Sequence, residues 1–476
     1  MNSLTRPYMD FSIYDHIIIG GYLLALLIFA IYFARKPMDE GNYMLAARRL
    51  SLPAFVMTLV TTWYGLILGV GEFVFGNGIV AWVTNGLLWY IVYFIFAFFL
   101  AKRIHDSKHL TIADQFKAKS LNKSARAATL ITYVMTTPAP YILSLAILVQ
   151  QIFGLSFSAA VFSGLFFSAA YVWSGGFQAV VKTDIFQFIF MYLGFGLLLV
   201  FSFMQFGGLD FLQSHLPETH LTFKGELSWQ TIIVWGFLAF WTLVDPNFFQ
   251  RCYAAKDGNI AKKGVLWAIF FWFIFDMLTL TTGLYARAAF PDATGLFAYF
   301  TLADGVLPIV AKGTFFVAIL AIIMSTIDSF LFTSGSILAA DVLSKKFGKY
   351  SVKNLTRAGI LISLALCLVI IYFFESVIGI VYAIGTVGVS ALLLPMLLIL
   401  FSKNFRFSDR AIFSSMIAAA LVSGGWMIDG WLKQEYGWPN YFLSIEPMYV
   451  GILTSAIILC GASLKQKLTR NKTALT

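Results

Sequence analysis

TTWYGLILGVGEF, residues Thr61 to Phe73, is an apolar helical sequence that carries its own interruption. Gly65, Gly69 and Gly71 stand close together, and each lowers helix stability by about 1 kcal/mol relative to alanine. The surrounding stretch, 52–75, is long enough to cross a bilayer, so it predicts a membrane helix that breaks partway. A second break is written into the stretch 229–250, where Leu243-Val244-Asp245-Pro246-Asn247 places a proline that removes a backbone donor and clashes with the preceding turn. These are the second and seventh apolar stretches of the chain, five apart. Interrupted helices at corresponding places in two five-helix halves point to an inverted repeat with its binding site near the membrane midplane. Carbonyls freed by such breaks are tolerated only where they face protein or a wet cavity, and there they are ready-made cation ligands. No identity between the two halves is visible in the sequence.

Composition sets the context for both breaks. Of 476 residues, 59% are hydrophobic and 12% charged, with a mean hydropathy of +0.82, too little polar surface for a soluble globule. Thirteen apolar stretches reach spanning length, roughly 13–34, 52–75, 79–101, 127–153, 156–174, 184–206, 229–250, 264–286, 308–340, 358–374, 376–401, 411–431 and 446–464. The stretch 308–340 is over-long, so its ends are expected to project or the helix to tilt. The net charge of +10 is a topology signal: with the N-terminus outside, 28 of 33 Lys and Arg fall on inside segments, and only Arg6, Lys224, Arg287, Lys312 and Lys433 fall outside. The expectation is an N-out, C-in protein of the plasma membrane, of bacterial inner-membrane type, with no role for nucleic acid and no obligatory protein partner. The first apolar run reads as a retained span, and Cys252, Cys367 and Cys460 support neither a disulfide framework nor a zinc site. No loop reads as a second folded domain.

The most polar membrane segment is GTFFVAILAIIMSTIDSFLFTSGSILAADV, Gly313 to Val342. Ser325, Asp328 and Ser329 stand at i, i+3 and i+4, with Thr326 beside them, so one helix face presents several oxygens. A carboxylate near the bilayer centre costs roughly 2.5–3.5 kcal/mol and usually lines an ion or substrate path. Oxygens of this kind suit a small hard cation. Asp184 falls at the expected start of a span, where it reads equally as a first-turn acid or as a site residue. Asp245 and Asn247 flank Pro246 as a helix stop or a polar contact to a solute. Glu72, Asp276 and Glu375 carry no specific signal, although Glu72 is placed to face an outer vestibule. Thr84, Asn85, Gln150 and Gln151 read as inter-helix polar contacts or as path-lining residues. His105 and His109 stand at i, i+4 in a cytoplasmic loop and are not read as a metal site.

Three separated runs carry a family resemblance. SGGFQAVVKTDIFQF (Ser174–Phe188), FFQRCYAAKDGNIAKKG (Phe248–Gly264) and MSTIDSFLFTSGSILAADV (Met324–Val342) occur in the order found in the sodium/solute symporter family, which includes sodium/proline, sodium/galactose and sodium/sialic acid transporters. The resemblance implies an all-α integral membrane protein of about 13 helices with a leucine-transporter-like fold. That is a leading helix (13–34), two inverted five-helix repeats (52–206 and 229–401) and trailing helices (411–464), all in one domain, 1–476. It also implies sodium-coupled uptake of a small polar solute by alternating access, and no enzymatic activity. Sodium site one would take the carbonyls of Thr61, Tyr64 and Ile322 and the hydroxyls of Ser325 and Thr326. A second sodium site would map onto Asp184, Ser325, Asp328 and Ser329, with a carboxylate at 328 where sialic-acid-type members have serine. On the solute side the resemblance is poor. Trp63, Gly65, Thr84, Asn85, Asp245 and Asn247 are the candidate contacts, and Ile67 and Leu68 stand where galactose-type members contact sugar, which disfavours a hexose. Proton-coupled symport on the same fold is the alternative, and an intramembrane aspartyl protease a remote one, since Asp328 lacks the G-x-G-D run of such enzymes.

Overall fold

The computed structural model describes residues 9–35, 39–373, 377–402, 407–434 and 439–473, and among them it is a helical bundle with no β-strand. The long helices are numbered here α1 (Ile13–Arg35), α2 (Leu52–Thr62), α3 (Ile67–Asn77), α4 (Val80–Asp106), α5 (Asn122–Met135), α6 (Ala139–Phe153) and α7 (Phe157–Phe206). They continue with α8 (Trp229–Leu238), α9 (Pro246–Ala254), α10 (Gly258–Ala289), α11 (Ala311–Leu338), α12 (Val352–Phe373), α13 (Val377–Phe401), α14 (Asp409–Leu432) and α15 (Pro447–Thr473). Eleven segments are long and apolar enough to span, and twelve if α2 and α3 are one bent span. The remaining apolar stretch, 156–174, contributes only a shorter helix, Phe157–Ala170, which explains the difference from thirteen. Glu375 lies outside the described residues.

Both interruptions fall where the sequence puts them. Between α2 and α3 the chain leaves helical geometry over Trp63–Leu66 and turns by 61°. Between α8 and α9 a 3₁₀ segment, Ala239–Val244, runs into Asp245, whose extended backbone (φ −76°, ψ 117°) starts a new helix with Pro246 at its first position. Proline is tolerated there because the first amides of a helix have no intrahelical acceptor.

The 184–206 span begins earlier than expected. Helices on either side of Gly176 run together from Phe157 to Phe206, with a kink at Gly176 alone (φ 56°, ψ −151°). A side chain at this residue would also collide with the backbone oxygen of Tyr43, 2.6 Å from the Cβ position, so both the angle and the space require glycine. Asp184 therefore sits about two turns into a helix and is not a cap, which corrects the first-turn reading.

At the centre stands α11. It packs most extensively on α7 and also on α1, α12 and α6, and its most apolar stretch is wholly buried among neighbouring helices. A helix shielded from lipid on every side can carry hydroxyls and a carboxylate, because protein groups take the place of water around them.

Candidate solute cavity and cation sites

The break after Thr62 brings the first cluster together. At this helix end the Val60 carbonyl accepts the Trp63 amide at 3.4 Å, and it and the Thr61 carbonyl also meet side chains of other helices. The Trp272 indole donates to Val60 O at 3.3 Å, and the Thr326 hydroxyl lies 3.5 Å from Thr61 O and 3.2 Å from Ile322 O. Close approach of the two elements depends on Gly65, where a Cβ would fall 2.6 Å from both Thr326 Cβ and the Tyr141 ring. Thr61, Ile322 and Thr326 are thus brought together, with neutral hard oxygens from two elements. Tyr64 O accepts the Ile67 amide at 2.9 Å, and the Ser325 hydroxyl points elsewhere.

Ser325 belongs to a neighbouring cluster built by four helices. Its hydroxyl donates to Asp184 Oδ1 at 2.6 Å, while Thr58 of α2 donates to Asp184 Oδ2. The guanidinium of Arg251, from α9, reaches into the same group. Its Nη2 donates to Thr58 (3.1 Å), Thr62 (2.7 Å) and Ser329 (2.7 Å) and lies 3.8 Å from Asp184 Oδ2, with both side chains fully buried. Asp184, Ser325 and Ser329 are therefore brought together around a cation that the chain itself supplies. Asp328 is fully buried on the same helix face. In the sequence Arg251 falls with the inside-facing basic residues, and nothing local distinguishes it from them.

On the other side of the α2–α3 break lies a cavity of about 990 Å³ of empty space, its mouth included. Trp63, Asn85 and the side chains of α4, α8, α10 and the 3₁₀ segment line it. Of the candidate solute contacts, Trp63 and Asn85 reach this cavity and the other four do not. Gly65 packs on Thr326 and Tyr141. Thr84 is buried and donates to Val80 O and Ala81 O within its own helix. Asp245 caps α9 by accepting the Asn247 amide at 2.6 Å, and Asn247 Oδ1 accepts from Thr333 at 2.8 Å. The helix-stop reading accounts for the Asp245 bond, while Asn247 ties α9 to α11 through Thr333. Glu72 is exposed.

A residue without a specific signal in the sequence takes the central place. Asp276 of α10 lines the cavity, and its two oxygens accept the phenolic hydroxyls of Tyr64 and Tyr90. Among the described residues no Lys, Arg or His lies within ion-pair distance of it or lines the cavity. The same rule that singles out Asp328, an acid deep in an apolar span, applies to Asp276 at the middle of 264–286.

Comparison with known proteins agrees with this layout. A solved structure of a Na+-coupled sialic acid symporter superposes with a TM-score of 0.75 at 16% identity, covering 94% of this chain and 97% of the other. Mhp1, a nucleobase-cation-symport-1 family transporter, gives 0.57 at 12% identity, over 91% and 96%. At these identities the likeness establishes the leucine-transporter-like fold. In sequence, the chain is 26% identical to the sodium/pantothenate symporter of Haemophilus influenzae over 68% of its own length and 72% of the relative's. It is 24% identical to the sodium/proline symporter of Staphylococcus aureus over 96% and 94%, and 24% identical to the pig (Sus scrofa) sodium/glucose cotransporter 1 over 63% and 54%, so it spans about half of that relative. The profile of the sodium:solute symporter family matches residues 43–419, and nothing supports a protease. The chain therefore belongs to the sodium:solute symporter family and is a multi-pass sodium-coupled solute transporter, not an enzyme.

Proposed function

We propose that the protein carries a small organic solute inward with sodium by alternating access, using the cavity at the α2–α3 break for the solute and the oxygens of Thr61, Tyr64, Ile322 and Thr326, with Ser325 at its edge, for the ion. The observation that supports this most is the meeting of Thr326 with a carbonyl that the break has released. Sodium bound there would tie the interrupted helix to α11, and the solute beside Trp63 would feel the same break. Ion and solute would then favour one conformation together, which is the coupling a symporter needs. Helices 52–206 and 229–401 would form the two inverted repeats that rock about the site, with the N-terminus outside and the C-terminus in the cytoplasm of a cell bounded by this plasma membrane.

Arg251 bears on the stoichiometry. A guanidinium already stands against Asp184 and Ser329, so the second set of oxygens has its positive charge within the chain. The reading assigns one sodium per cycle, at the first site. One charge crossing 100 mV yields about 2.3 kcal/mol and a tenfold sodium gradient about 1.4, together enough for several-hundred-fold accumulation. Proteoliposomes holding the purified protein test it. Uptake should require external sodium, rise with inside-negative potential and move one sodium per solute. Uptake unchanged in sodium-free, potassium-based medium and driven by a pH gradient would overturn it.

A further inference from the structure

The cavity has an unusual chemical inventory. Six of the protein's twelve tryptophans line it: Trp63, Trp82, Trp89, Trp235, Trp241 and Trp272. Several are held edge-on to other rings, Trp63 to Trp89 at 5.3 Å and to Phe248 at 5.5 Å between centroids, so their orientations are fixed by packing. Apart from indoles, the phenols of Tyr64, Tyr90, Tyr93 and Tyr141, and Asp276, only Asn85 and Thr279 bring polar side chains to it. Asn85 Nδ2 donates to Ala81 O and Thr84 Oγ1, and Thr279 donates back to its own helix. Two indole N–H groups, those of Trp89 and Trp241, are buried with no hydrogen-bond partner among the described residues. One carboxylate, Asp276, carries the only formal charge among the lining residues.

Such a wall recognises a particular kind of solute. A hexose needs many convergent donors and acceptors, and besides Asp276 the lining offers one side-chain amide amid single indole and phenol groups. A carboxylate solute would enter beside a negative group with no basic residue to receive it. A cation finds both attractions it can use: a full negative charge, and aromatic faces, which together favour ammonium groups strongly once water is excluded. The position of Asp276 is itself built. Gly86 lies in a π-helical turn of α4, and a Cβ there would come within 2.8 Å of Asp276 Oδ2 and 2.7 Å of the Trp82 ring, so the missing side chain lets carboxylate and indole meet the cavity together. Tyr64 and Tyr90 donate to the two carboxyl oxygens, and among the described lining residues no Lys, Arg or His supplies a positive charge beside them.

We infer that the transported solute is a small organic cation, an alkylammonium head that sits between Asp276 and the tryptophan faces, with an oxygen on its arm to accept from Trp89 or Trp241. This rests on the symporter reading for transport, but binding can be tested without it. The probes are choline and its neutral carbon isostere, in which a tert-butyl group replaces trimethylammonium, followed in sodium buffer by quenching of tryptophan fluorescence on the intact protein. Choline should bind at least tenfold tighter than the isostere. Asp276→Asn should weaken choline tenfold or more, leave the isostere within twofold, and leave the sodium concentration for half-maximal effect unchanged. Equal affinity of the wild-type protein for the two probes would overturn the inference whether or not any variant folds. So would a variant whose choline affinity is retained while its sodium dependence shifts, because Asp276 would then serve the ion. Failure of the two readings is separable in vesicles. Choline that binds but is not accumulated by a sodium gradient sinks the transport reading alone, while sodium-driven uptake of proline, glucose or pantothenate with choline unable to compete sinks the cation inference alone.

Discussion

Asp184 and Asp276 are both aspartates deep within apolar helices, and their surroundings are opposite. Asp184 is sealed: Ser325 and Thr58 donate to its two oxygens, Arg251 stands 3.8 Å away, and none of these four side chains is solvent-exposed. Asp276 faces a cavity and is held by two phenols with no cation near it among the described residues. A buried charge that carries its own counter-charge is part of the framework. One that is oriented by neutral donors and left facing empty space is set up for a positive ligand. The contrast is open to attack at four points.

The largest effect should come from unbalancing the sealed pair. Arg251→Met leaves Asp184 buried without its cation, which costs about 3–5 kcal/mol. The variant should lose much of its yield and melt well below the parent, and adding Asp184→Asn should recover most of the loss. Asp276→Asn, by contrast, should fold nearly as well as the parent, since one phenol loses its acceptor but no buried charge is left without its partner. Equal melting of Arg251→Met and the parent would show that the pair does not hold the framework.

A second effect sharpens the division between ion site and framework on a single turn of α11. Thr326 lies against the carbonyls of Thr61 and Ile322, whereas Ser325 gives its hydroxyl to Asp184. Thr326→Ala should raise the sodium concentration for half-maximal uptake tenfold or more, equivalent to about 1.4 kcal/mol. Ser325→Ala should move it by less than about threefold and show its loss in stability, about 1.5–3 kcal/mol for a hydrogen bond to a charged group. Uptake titrated against sodium for the two variants, with melting curves alongside, separates them. The reverse pattern would place the ion at Asp184.

Close packing at the break provides a third. A methyl group at residue 65 meets Thr326 and Tyr141 at 2.6 Å, so Gly65→Ala must push the break away from α11 at a cost of about 1–3 kcal/mol. Sodium activation should weaken while choline binding to the cavity, measured at saturating sodium, changes less. A variant with parental sodium affinity would show that the approach of these elements is not what forms the site.

The sequence carried the architecture further than the chemistry. Glycines at 65, 69 and 71 and Pro246 are local signals with local consequences, and the helices break at both places. Ser325 and Thr326 were legible because hydroxyls beside an acid in an apolar run are rare. Arg251 was not: a basic residue five positions before Lys256, with Lys262 and Lys263 beyond, reads as loop, and only the fold shows that α9 carries it back among α2, α7 and α11. Asp276 was overlooked for a different reason. Its partners, Tyr64 and Tyr90, are 212 and 186 residues away, and tryptophans spread from 63 to 272 read as interfacial filler until they surround one space. Gly176 hid the true start of its helix, because a glycine pair reads as a loop when a single kink suffices.

The smallest effect tests how Asp276 is held. Tyr64 and Tyr90 each donate one hydroxyl to it, and Tyr90 also accepts from the Trp82 indole at 3.4 Å. Removing either hydroxyl leaves the other phenol in place, so Tyr64→Phe and Tyr90→Phe should each weaken choline binding by about two- to fivefold, the scale of one net hydrogen bond of 0.5–1 kcal/mol. Tyr90→Phe should cost the more, because Trp82 loses its anchor as well. The double variant should exceed the product of the single effects, since only then is the carboxylate free to rotate away from the rings. Fluorescence titration with choline measures all three, and strict additivity would mean that the phenols act on the solute separately instead of through Asp276.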